Sequence, residues 1–163
     1  MRVLSSYKYK DLNILRKKSE NIKEIDDNIK KLIAEMYDTM LEEGGIGISA
    51  IQVGVPLKLV VTDYYDNEKP MVWINAEIIW ASENKVNSKE GCLSIKGFYY
   101  TIKRYSEIKV KFLDIDNKVK IAHLSGIAAY CLQHEIDHTN GILFNDHLNA
   151  LGKEKFKKHK KEK

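Results

Sequence analysis

Two histidines four residues apart, the first followed directly by a glutamate, are the part of this chain best suited to chemistry: His134-Glu135-Ile136-Asp137-His138. The surrounding stretch is patterned as a helix, where residues four apart lie about one turn from each other on nearly the same face. Both imidazoles can therefore reach a single divalent ion. Glu135 is placed to handle a proton on a water at that ion. The pentad points to metal-assisted hydrolysis, but it leaves the third ligand open and with it the type of enzyme.

A catalytic site of this kind uses three protein ligands and a water. One pattern adds a histidine six residues after the second; here Gly141 fits that pattern but Phe144 occupies the ligand position. Asp146, Glu154 and Glu162 are acidic alternatives downstream, the last two inside a lysine-rich tail. Upstream, Cys92 in Glu90-Gly91-Cys92-Leu93-Ser94 would ligate as a thiolate or pack as a small buried hydrophobe. Cys131 lies one turn before His134 and reads as pocket wall. Ile127, Cys131, His134 and His138 fall in one narrow angular band, with Tyr130 at its margin, so an apolar strip runs up to the histidines. Ile127 would serve equally in a pocket wall or in a core.

These residues need elements to position them. The spacing predicts a helix over 25–43, capped by Asp26 or Asp27 and stopped at Gly44, and a second over 125–139, with Ser125 as N-cap and Gly141 as stop. Between them, Leu57–Thr62, Met71–Asn75 and Glu77–Trp80 read as short strands, while 81–89 is polar and loop-like. Glu107–Leu113 alternates and leads through an Asp114–Asn117 turn into a strand bearing Val119, Ile121 and His123. Residues from about 150 onward form a basic helix or a frayed end. The order helix, antiparallel strands, helix implies an α+β fold, with strands packed around the helix that carries the pentad.

With 163 residues, 44% hydrophobic and 31% charged, the whole chain suits one soluble domain. The tail from Lys153 holds seven lysines against two glutamates, so the net charge of +4 belongs to the tail and the body is near neutral. Two cysteines without a CxxC pair suit the reducing cytoplasm, and no window resembles a signal peptide or a membrane span.

Three segments together resemble the peptide deformylase family. Its first motif, glycine-x-glycine-x-alanine-alanine-x-glutamine, is matched by Gly45-Ile46-Gly47-Ile48-Ser49-Ala50-Ile51-Gln52. The second, EGCLS, is matched in full by Glu90 to Ser94, and the third, QHExDH, by Gln133 to His138. The resemblance implies a hydrolase that removes the N-formyl group from the initiator methionine of new polypeptides. It makes Cys92, His134 and His138 the ligands of one divalent metal, expected to be ferrous iron with zinc, nickel or cobalt as alternatives. Glu135 becomes general base and then general acid. Gln52 and the Leu93 backbone N–H become donors to the oxyanion of the tetrahedral intermediate.

By the same resemblance a peptide lies along Gly45, Ile46 and Gly47, and Ile46, Ile127, Tyr130 and Cys131 wall a pocket for the methionine side chain. Glu90 and Arg104 match positions that often pair and would steady the Cys92 loop. The basic tail is expected to be a solvated end or, as in some bacterial members, a ribosome-docking helix. Three departures from the pattern stand out: Ser49 in place of alanine, Lys96 where many members have proline, and the lack of a proline before the Leu15-Arg16 pair. The rival readings are a metallopeptidase using Asp146 and a non-catalytic, metal-stabilised ribosome- or RNA-binding protein.

Overall fold

In the computed structural model, which describes residues 1–64 and 70–163, helix α1 (Tyr9–Leu15) precedes α2 (Asp27–Glu42), strand β1 (Gly47–Ser49) and a 3-10 turn at Ala50–Val53. Strands β2 (Leu59–Thr62), β3 (Met71–Ala81), β4 (Lys85–Cys92), β5 (Ile95–Tyr105), β6 (Glu107–Leu113) and β7 (Val119–Ser125) follow. Helix α3 (Gly126–Thr139), a second 3-10 turn (Phe144–His147) and α4 (Ala150–Lys161) complete the order. The α+β class is the expected one.

Among the described residues, all pairings between the named strands are antiparallel. Five strands form one sheet in the order β1-β2-β3-β6-β7, and β4 and β5 form a separate two-stranded ribbon. Every residue of β2 is buried because a helix covers each face of the larger sheet. On one face Ile33, Met36 and Met40 of α2 pack against Ile48, Leu59, Val61 and Ile74. On the other, Ala129, Leu132 and Ile136 of α3 pack against Val60, Trp73, Ile108 and Val110. A strand buried on both sides needs no alternation, which is why Leu59–Thr62 reads as a continuous apolar run.

Helix α3 turns its other side to the ribbon. There the Gln133 amide donates to the Tyr105 carbonyl and accepts from the Tyr105 N–H, at 2.9 and 3.0 Å. Strands thus flank the pentad helix on two sides, as expected. Its start differs in detail: Ser125 occupies the N-cap but its hydroxyl makes no capping bond. Gly126, at φ +62°, instead makes the sharp turn out of β7, a conformation that favours glycine. Helix α2 is capped as read, the Asp26 carboxylate accepting from the Ile29 N–H at 3.0 Å.

Three stretches differ from expectation. Met71–Asn75 and Glu77–Trp80 are one strand, β3, bent where Asn75 takes φ +53° and its amide pairs with both backbone groups of Ile22. Residues 81–89 are not a loop: Ala81 ends β3, and Lys85 begins β4, in register with Tyr105. The outward row Lys85, Asn87, Lys89 is exposed, and the inward row includes Ser88 and Glu90, so neither face shows the apolar alternation of a strand. Helix α1 was also not anticipated; at seven residues it is too short to display a period, and it is pinned by buried Asp11, which accepts from Arg2 at 2.7 and 3.0 Å.

The Asp114–Asn117 turn is as expected, with Asn117 at φ +62° and the Asp114 carboxylate accepting from the N–H groups of Asp116 and Lys118. The basic C-terminal segment is a helix, held by Phe156 against Phe98 and by Gly152 against Tyr100, with its seven lysines exposed. Among the described residues no helix is long and apolar enough to cross a membrane. Leu132 is fully buried between α3 and the sheet, on the side away from the histidines. Leu132→Ala should lower the unfolding free energy by about 2–5 kcal/mol in urea titrations.

Candidate metal centre and its groove

Three segments converge at the pentad. Helix α3 supplies His134, Glu135 and His138, all buried. The ribbon supplies Cys92, which pairs with Ile95 across a two-residue tip made by Leu93 and Ser94. Strand β1 and the 3-10 turn after it supply Gly47, Ser49 and Gln52.

The ligand atoms of Cys92, His134 and His138 all lie within 4.8 Å of one another, and Cys92 Sγ stands 3.4 Å from His138 Nε2. Ligands at about 2.0–2.3 Å from a tetrahedral ion are separated by roughly 3.5 Å, so one thiolate and two imidazoles at this spacing suit a single divalent cation. Burial is the largest cause that pushes the His138 imidazole well below its ordinary pKa, with Arg104 adding to it; a neutral ring is what metal binding requires. Among the described residues, Cys92 is the group gathered with the two histidines. Asp146 is engaged elsewhere, accepting from Arg16 and from the Leu143 N–H. Phe144, in the position where the other pattern has a histidine, is a buried ring stacked on His134 at 6.0 Å.

Behind the histidines runs a chain of buried charge. His134 Nδ1 lies 2.8 Å from Glu90 Oε1, which fixes the ring and leaves Nε2 for a metal. Arg104, 4% exposed, donates to both Glu90 oxygens at 2.8 and 2.9 Å and to Asp137 at 2.7 Å. His147 meets the same Asp137 oxygen at 2.8 Å, and Ser88 donates to Glu90. Burial pushes the Glu90 carboxyl up, but the hydrogen bonds and charges of Arg104 and His134 outweigh it and hold the group at about 2. The Glu90–Arg104 pair is present, and it extends further than the resemblance implied.

Glu135 is buried, which raises its carboxyl above the ordinary range, with the charge of His134 and a Ser49 hydrogen bond opposing. A raised carboxyl suits a group that must take and return a proton. Gln52 is pinned: its Oε1 accepts from the Ser49 N–H at 3.0 Å, and its Nε2 donates to Ser94 Oγ at 3.1 Å. Cys92 Sγ is 3.8 Å from the same Nε2, so the amide N–H group faces the metal end of the site. Leu93 sits at the ribbon tip, beside Cys92, with its side chain against Gly45.

In front of these groups opens a cavity of about 720 Å³. Gly45, Ile46, Gly47, Ile127, Tyr130 and Cys131 all line it, together with Glu90, Cys92, Leu93, His134 and Glu135. Ile127 and Ile46 are exposed, so Ile127 belongs to the groove wall and not to the core. A Cβ at Gly47 would come within 2.8 Å of Cys131 Sγ and 3.0 Å of Glu135 Oε1, so those side chains would have to shift. The rim departure is also located, since Lys96 Nζ reaches Glu43 at 2.8 Å and both residues border the cavity.

Five contact residues escaped the sequence reading: Ser49, Ser88, Ser94, Asp137 and His147. Asp137 lay inside the pentad and Ser49 stood out as a departure from a motif; nothing in the sequence marked Ser88 or His147.

The sequence model of the polypeptide deformylase family matches residues 4–154. The chain is 44% identical over 154 residues to the peptide deformylase of Brachyspira hyodysenteriae, covering 91% of this chain and 82% of that one. It is 42% identical over 157 residues to the peptide deformylase of Bartonella quintana, covering 92% and 89%. The crystal structure of the Plasmodium falciparum peptide deformylase superposes with a TM-score of 0.91 at 33% identity, over 99% of this chain and 94% of that one. Sequence match, backbone superposition and the gathered motif residues agree, and the chain belongs to the polypeptide deformylase family.

Proposed function

We propose that this chain removes the N-formyl group from N-terminal formylmethionine of newly made polypeptides, in the cytoplasm, using one divalent metal. The observation that carries the reading is the cluster of Cys92, His134 and His138 within 4.8 Å, with Glu135 at the adjoining groove. Those three residues would hold the ion. When bound, the ion supplies Lewis acidity and brings the pKa of a water near neutrality.

The chain's own groups would do the rest. The groove between the Gly45–Gly47 segment and the ribbon tip receives the peptide, and the glycines let its backbone approach closely. Ile46, Ile127, Tyr130 and Cys131 offer an apolar wall for an unbranched thioether side chain. Glu135 takes a proton from the attacking water and returns it to the amine that leaves when the C–N bond breaks. Gln52 Nε2 and the Leu93 N–H donate to the oxygen on which charge develops. Glu90, held by Arg104, keeps the His134 ring in the tautomer that ligates through Nε2.

We assign ferrous iron as the native metal, with zinc, nickel or cobalt able to replace it in a thiolate–imidazole site. The exposed lysines of α4 are suited to phosphate-rich RNA, and we assign them to ribosome docking.

Purified anaerobically, the protein should carry about one metal ion per chain and release formate from formyl-Met-Ala. Glu135→Gln should lower kcat by about 10²–10⁴ with metal retained. Cys92→Ala should lose the metal and Asp146→Ala should keep it; the opposite pattern would sink the ligand assignment. Chelation should lower the thermal midpoint of the wild type and leave that of Cys92→Ala where it was, because binding to the folded state alone stabilises it. Reversing Lys157, Lys158 and Lys161 to Glu should abolish co-sedimentation with ribosomes without changing formate release; unchanged sedimentation would refute the docking assignment.

A further inference from the structure

Ser49 stands where the family motif has alanine, and nothing in the reaction as outlined uses it. It is completely buried at the end of β1, in register with Val60. Its Oγ lies 2.7 Å from the backbone carbonyl of Glu135 and 2.9 Å from Glu135 Oε2. A short polar side chain has thus spent both of its reachable contacts on a single residue, the one proposed to move the proton.

The other carboxylate oxygen points elsewhere. Glu135 Oε1 lies on the Gly47 side, 3.0 Å from where a Cβ on that glycine would stand, and Glu135 borders the groove. One oxygen is therefore seated against a hydroxyl, while its partner is turned to the space beside the glycine segment. The Ser49 main chain makes a second link, its N–H donating to Gln52 Oε1 at 3.0 Å. One residue holds both the carboxylate of Glu135 and the amide of Gln52.

We infer that Ser49 is a positioning residue for the hydrolysis, setting the orientation of the Glu135 carboxylate and tying it to the Gln52 amide. The inference rests on the deformylase reading above. Hydrogen bonds to an ionised carboxylate are short and strong, so the hydroxyl restricts the rotation of Glu135 more than packing alone. With its one proton the hydroxyl donates to the ionised Oε2 or to the Glu135 carbonyl, and when Glu135 is protonated it donates to the carbonyl while accepting from Oε2. Alanine in the family pattern means that the reaction runs without this hydroxyl, so its effect in this chain is graded.

The test is steady-state formate release from formyl-Met-Ala by the metal-loaded wild type, Ser49→Ala, Glu135→Gln and the double variant, with metal content measured on each. Ser49→Ala removes one atom and installs the residue of the family motif, so folding is preserved. Its kcat should fall about 3- to 10-fold, with KM and metal content within about twofold of wild type. In the Glu135→Gln background the same substitution should have a smaller effect, because the partner carboxylate is gone. An unchanged kcat, a loss carried by KM or metal content, or an equal fall in both backgrounds would overturn the positioning role and leave the deformylase reading intact. A fully loaded wild type that releases no formate would overturn both.

Discussion

The site depends on a charged pair buried where the ribbon meets helix α3. Glu90 of β4 and Arg104 of β5, which stand opposite Tyr100 and Val86 in the ribbon register, join through their side chains, and from there one reaches His134 and the other Asp137 on the helix. Burying such charges is costly, and an ion pair in a protein interior is weak evidence for stability. Its value here is registry. A one-residue slip between ribbon and helix would leave the Glu90–Arg104 pair intact but would part Glu90 from His134 and Arg104 from Asp137, stranding buried hydrogen-bonding groups. The docking position is fixed by what every other arrangement would cost, and Cys92 arrives opposite His138 as a result.

The larger sheet supplies the rigid partner. Helix α3 is clamped by apolar packing on one side and by polar contacts on the other, so neither imidazole can retreat. Against that helix the chain brings β1, and the absence of a side chain at Gly47 sets the separation. The glycine therefore does two things with one missing atom: it lets β1 close on Cys131 and Glu135, and it keeps a channel beside the carboxylate.

Much of this was legible in residue types and spacing. Helices α2 and α3, the β6–β7 hairpin and the three motif segments could be read because their physics is local: a helical period, a capping aspartate, a turn with its Asp and Asn, a pair of histidines four apart. The third ligand was not settled locally, because a cysteine gives no sign of whether a metal or a core awaits it. The ribbon was illegible for a related reason. The inward row of β4 follows Val86 with Ser88 and Glu90, so polar residues interrupt the apolar alternation that identifies a strand. The Ser49–Glu135 contact joins residues 86 positions apart and had no local signature beyond a departure from a motif.

Cys92 and His138 are 46 residues apart along the chain and touch only when the ribbon tip folds back over the helix. An isolated α3 carries only the two imidazoles; the thiol comes from the ribbon tip. Closing a loop of that length carries an entropic cost that the packing of ribbon and helix has to offset. The Cys92–His138 approach is therefore a product of the tertiary fold, and its spacing reports that the ribbon has docked on α3.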